Sequence, residues 1–102
     1  MTLDDILGKT LTFTYRNDTY RIDVLSDTKV RWEQLRGEDP GSGDEETYVF
    51  SALGGGLGMI TWVEADGLGL SNVLDIAAGT VTTHAKMGRD VYENPGTLTI
   101  AD

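Results

Sequence analysis

The chain has 102 residues, 39% of them hydrophobic and 25% charged, which fits one soluble globular domain with one core. Its net charge of −9 argues against nucleic acid and anionic membrane surfaces as partners, because both are bound through clustered Lys and Arg. With no cysteine, disulfides, thiolate chemistry and sulfur-ligated metals are excluded. No apolar run approaches the ~20 residues that span a bilayer, and MTLDDILGK lacks the basic start and long apolar core of a signal peptide, so the expected location is cytoplasmic.

Thr2 to Gly8 read as one short helical turn, with Thr2 as cap, Asp4 and Asp5 at the N-terminal end and Gly8 as stop. Strands follow. Residues 9–15 (KTLTFTY) set Leu11, Phe13 and Tyr15 on one face, and Asn17-Asp18 turns the chain. Residues 19–25 (TYRIDVL) align Tyr20, Ile22 and Val24, and Ser26-Asp27 turns it again. Residues 28–35 (TKVRWEQL) pair Val30 with Trp32. Such alternation between short polar turns predicts an antiparallel meander.

Residues 36–46 (RGEDPGSGDEE) read as an acidic loop, since Pro40 and three glycines interrupt the pattern. Strands resume at 47–53 and 57–64 across a glycine hairpin, then at 69–76 and 79–86. Residues 87–96 read as a second loop, with Asn94-Pro95-Gly96 as its turn signal, and 97–101 as a closing strand. The sum is about eight short strands and no long helix in a single domain, 1–102. Closing such a sheet into a small barrel removes exposed edges, and eight strands leave room for side chains or one small ligand.

Familiar motifs fail. Gly8-Lys9-Thr10 ends like a phosphate-binding loop, but Leu3 stands where its first glycine belongs and a strand follows in place of a helix. The acidic loop lacks the alternating ligands and terminal Glu of a calcium loop. His84, the only histidine, has neither the spacing of a metal site nor an accompanying nucleophile motif, so it is expected to face solvent or a hydrogen-bond partner. No metal and no organic cofactor is implied.

The segment MITWVEADG at 59–67 poses the functional question. Strand alternation puts Glu64 on the face of Ile60 and Trp62, just before the Asp66-Gly67 turn. Glu64 is either a solvated strand-end charge or a carboxyl held against an aromatic wall, where desolvation would raise its pKa and fit it to donate a proton. The aromatic residues Tyr15, Tyr20, Trp32, Tyr48, Phe50 and Trp62 are core candidates that can also line a cavity.

GKTLTFTYRNDTY at 8–20 and ITWVEADGLGLS at 60–71 resemble the phenolic acid decarboxylases and, equally, the MoaF-like domains, both of calycin-like, lipocalin-like barrel type. In the decarboxylases a Glu is the catalytic acid, while two tyrosines and an arginine orient a hydroxycinnamate. The resemblance places Glu64 on that Glu and Tyr15 on the second tyrosine. Phe13 falls on the first tyrosine and has no hydroxyl, Gly41 falls on the arginine, and Arg36 is off register. The chain's extent and these losses favour the compact MoaF-like branch. The expected fold is therefore an all-β calycin-like barrel, and the expected function is binding of a small aromatic ligand by Phe13, Tyr15, Tyr20, Trp32, Tyr48, Trp62 and Glu64. The alternatives are a cofactor-independent lyase with Glu64 as proton donor and Tyr15 as orienting group, or a structural protein with a filled barrel. A homodimer is expected, since relatives of this fold resemble paired barrels.

Overall fold

The computed structural model describes residues 1–102. A single 3-10 turn, Leu3–Asp5, precedes nine strands: β1 (Thr10–Thr14), β2 (Thr19–Val24), β3 (Lys29–Arg36), β4 (Gly43–Thr47), β5 (Val49–Gly54), β6 (Leu57–Val63), β7 (Gly69–Asp75), β8 (Thr80–Met87) and β9 (Asp90–Ala101). All pair antiparallel in one sheet of order β4-β3-β2-β1-β9-β8-β7-β6-β5. Two meanders are thus joined where β1 meets β9. β4 and β5 are opposite edges of this sheet, yet only Tyr48 separates them in sequence. The sheet must curl until its edges meet at that corner, and it forms a half-barrel. No helix is long and apolar enough to cross a membrane.

The inward phase follows the sequence. Leu11 and Phe13 of β1, Ile22 and Val24 of β2, Val30 of β3, Ile60 and Trp62 of β6, Leu74 of β7, Val81 of β8 and Leu98 of β9 are buried in one core. The N-terminal turn plugs one end: Ile6 is fully buried, and Met1 and Leu3 pack on the core. Thr2 is held there by its backbone N–H, which donates to Asp5 Oδ2 at 2.8 Å. Gly58 makes room for this plug, since a Cβ there would lie 2.4 Å from Met1 Sδ.

Both expected loops contain strand. Within 36–46, residues from Gly43 onward belong to β4 and pair with β3. Their acids disfavour strand locally, but cross-strand partners offset this: Arg31 stands opposite Glu45, and the Trp32 indole N–H donates to Glu46 Oε2 at 3.0 Å. Within 87–96, β8 turns at Gly88-Arg89 directly into β9, which runs through Pro95. β1 pairs only with Thr97–Ala101 of β9, so Pro95 lies where β9 pairs with β8 alone. On such an edge its missing N–H leaves no ladder bond unmade. The count is accordingly nine strands rather than eight.

Candidate functional site

The end of the half-barrel opposite the N-terminal plug is open. The β1–β2 turn, the β3–β4 turn and the β6–β7 turn surround it, together with the stretch of β9 that overhangs β1. A cavity of about 270 Å³ enters there. Of the expected ligand-binding residues, Phe13, Tyr15, Tyr20, Trp32, Trp62 and Glu64 all line it.

Tyr48 does not. It is buried at the corner between β4 and β5, where its hydroxyl donates to the Ser26 carbonyl at 2.8 Å. It faces inward in phase with Glu46 and Phe50, but it lies beside the β2–β3 turn, away from the mouth, so it joins the core and does not reach the cavity. Phe50 packs half-buried on the core beside Gly58, also away from the cavity.

One wall is aromatic. Phe13 and Tyr15 meet edge to face with ring centroids 6.5 Å apart, Tyr15 and Tyr20 at 6.2 Å, and Tyr20 and Trp32 at 6.3 Å. Inward phase on β1, β2 and β3 brings these rings together. Tyr15 also needs Gly96: a Cβ there would lie 2.7 Å from the Thr14 carbonyl oxygen and 2.8 Å from the Tyr15 ring.

Glu64 sits at the end of β6, on the other half of the curl. The β6–β7 turn fixes its backbone: Glu64 N–H donates to the Leu68 carbonyl, and Gly67 N–H to the Glu64 carbonyl, both at 2.8 Å. Its side chain is half-buried in the cavity lining, and Trp62 Nε1–H donates to Oε2 at 3.2 Å. Burial pushes the carboxyl above its usual range. The indole hydrogen bond counters this, while Glu46, Asp66 and Asp44 add to it by like-charge repulsion. The donor to Glu64 is thus an indole of its own strand, and the hydroxyls of Tyr15 and Tyr20 are bonded elsewhere.

Tyr15 instead heads a buried polar chain. Asn72 Nδ2 donates to the Ile60 carbonyl at 3.1 Å, and Thr83 Oγ1 donates to Asn72 Oδ1 at 2.8 Å. That bond uses the only hydroxyl hydrogen of Thr83, so Tyr15 must be the donor in its short contact with Thr83 Oγ1. Desolvation pushes the Tyr15 phenol up to about 12, so at neutral pH it is a locked, protonated hydroxyl rather than a base. Every fully buried side-chain N or O atom in the molecule has a hydrogen-bond partner.

Tyr20 accepts from Gln34 Nε2 at 3.0 Å and donates to Asp18 Oδ2 at 3.2 Å. Asp18, Gln34, Asn72, Thr83 and Asn94 are lining residues that sequence reasoning passed over. For Asn72 and Thr83 a signal was present. Each is a polar residue in phase with apolar ones, between Leu70 and Leu74 in β7 and between Val81 and Ala85 in β8, as Glu64 is with Ile60 and Trp62.

The decarboxylase pattern is incomplete in space as in sequence. Phe13 lines the cavity without a hydroxyl, and Gly41 lies in the β3–β4 turn. Arg36 faces a polar groove outside the mouth, where its guanidinium donates to the Tyr15 carbonyl at 2.9 Å, the Arg16 carbonyl at 3.4 Å and Thr19 Oγ1 at 3.3 Å. His84 is exposed on β8, 3.4 Å from Glu93 across the β8–β9 ladder. No group of three His, Cys, Asp or Glu side chains is arranged to hold a metal ion.

The MoaF-like family profile matches residues 7–99. The chain belongs to the MoaF-like family. Among solved structures, this MoaF-like chain is similar to a Burkholderia vietnamiensis protein named "putative beta-lactamase", at 26% identity and a TM-score of 0.87, over 94% of this chain and 95% of that one. No functionally curated protein matches it.

Proposed function

We propose that this MoaF-like protein binds a small aromatic ligand in the open end of its half-barrel. The observation that carries this reading is the cavity: about 270 Å³, walled by five aromatic side chains and tipped by Glu64. An apolar cavity of roughly 150 Å³ suffices for benzene, so this one has room for a single ring with a substituent. It also speaks against a filled barrel. A thermal-shift screen of single-ring compounds tests the proposal, because a ligand that binds only the folded state raises Tm by mass action. Dose-dependent stabilisation that is lost when Trp62→Ala narrows the aromatic wall supports it, and no stabilisation by any compound at millimolar concentration opposes it.

A second reading is a lyase, favoured by a carboxyl raised by burial beside a cavity. Against it, a substrate carboxylate needs a charge-assisted partner, and Phe13 and Gly41 supply none. Release of carbon dioxide from p-coumarate that disappears in Glu64→Gln would establish it. The name of the Burkholderia protein suggests lactam hydrolysis. Here Ser26-Asp27-Thr28-Lys29 spells a serine–lysine motif of that chemistry. It lies in the β2–β3 turn, however, where Ser26 Oγ accepts from the backbone N–H groups of Thr28 and Lys29 and Lys29 Nζ donates to Thr47 Oγ1. That serine holds a turn and lies outside the aromatic cavity.

A further inference from the structure

We infer that the ligand class of this cavity is a small aromatic ammonium ion, its ring seated on the aromatic wall and its charged nitrogen at Glu64 and Asp18. The inference rests on the binding reading above and adds the charge of the ligand. Among the residues lining the cavity the only charged ones are the carboxylates Asp18 and Glu64, and no Lys, Arg or His joins them. The nearest guanidinium, that of Arg36, lies in the outer groove and is bonded to backbone carbonyls.

The hydrogen-bond directions point the same way. The lining has four aromatic N–H or O–H donors, and each is committed inside the protein. Trp62 gives its hydrogen to Glu64, Trp32 to Glu46, Tyr20 to Asp18 and Tyr15 to Thr83. What these side chains offer a ligand is ring faces, oxygen lone pairs and the second oxygen of Glu64. Ring faces carry the negative lobe of the aromatic quadrupole and attract cations within about 6 Å. A carboxylate ligand would meet like charge and find no cationic partner. An ammonium ion would also relieve the mutual repulsion of Glu64 with Glu46, Asp44 and Asp66, which helps hold the Glu64 carboxyl above its usual range.

Three probes with one ring and different head groups test this: benzylammonium, benzyl alcohol and phenylacetate. Each is titrated by calorimetry against the full chain at neutral pH and low salt, and against Glu64→Gln and Asp18→Asn, with circular dichroism to verify folding. Benzylammonium should bind about tenfold more tightly than the alcohol, since a charge-assisted hydrogen bond is worth about 1.4 kcal/mol or more, and phenylacetate should bind most weakly. Either variant should lower that preference severalfold, because only the ammonium ion loses a charged partner. Equal affinities, or tighter binding of phenylacetate, would overturn the charge assignment and leave the binding proposal standing. Failure of all three probes on both the full chain and the variants would overturn the binding proposal with it.

Discussion

At the scale of single residues, two side chains define the mouth by opposite means. Glu64 is half-buried and flanked by acids, and its carboxyl is raised by burial and by Glu46, Asp66 and Asp44. A raised folded-state pKa means the folded protein holds that proton more tightly than the unfolded chain. Stability from this group therefore falls as pH rises through the carboxylate range. Glu64→Gln removes the effect, so its Tm advantage over the wild type should be larger at pH 7 than at pH 4, measured by thermal melts at both. Tyr15 is the reverse case, neutral and fully partnered. Tyr15→Phe removes the donor to Thr83, which can keep its bond to Asn72. The expected cost is about 1 kcal/mol in denaturant unfolding. Alternation put Phe13 and Tyr15 on one face of their strand and Trp62 and Glu64 on one face of theirs, and the family resemblance set the two faces together. The partner of Glu64 was not legible, because which donor reaches a carboxylate depends on rotamers and turn geometry. Tyr48 faces inward as alternation requires, but beside the β2–β3 turn and away from the mouth, and alternation does not tell one end of a barrel from the other.

At the scale of elements, the meanders were readable wherever residues alternate, and the misread segments were those in which pairing overrides composition. β4 is acidic and gains its place from its backbone ladder with β3 and from the Trp32 indole bond to Glu46, with Arg31 opposite Glu45. β9 carries Pro95 through its unpaired side and Gly96 under the Tyr15 ring. A glycine at 96 looks like turn punctuation in sequence, but in the structure it is a close-approach position between β9 and β1. Gly96→Ala should therefore destabilise the fold by about 1–3 kcal/mol through overpacking and displace Tyr15 from the cavity wall. Denaturant melts give the first effect and ligand titration the second. A variant as stable as the wild type, with unchanged binding, would show that the ring moves aside at no cost.

At the scale of the whole molecule, one sheet closes on itself at the Tyr48 corner, is plugged at one end by the N-terminal turn, and opens at the other into an acid-tipped aromatic cavity. The outer face leaves Val49 and Val63 exposed at 65% and 62%, on the adjoining strands β5 and β6. Burial of such surface favours the homodimer expected for a core of this size, against the repulsion of −9 charges per chain. Sedimentation at micromolar concentration and moderate salt should return a dimer mass, and a monomer mass there would contradict the expectation. The cavity itself is tested most directly by the two indole N–H signals in a proton–nitrogen NMR titration. Trp62 and Trp32 both line the cavity, and both indoles are bonded to carboxylates. On addition of benzylammonium, both indole signals should move together with the backbone amides of Tyr15, Asn72 and Thr83, while those of outward residues such as Val49 and Val63 stay fixed. Shifts confined to the outer face, or none at saturating concentration, would contradict a ligand site inside the half-barrel.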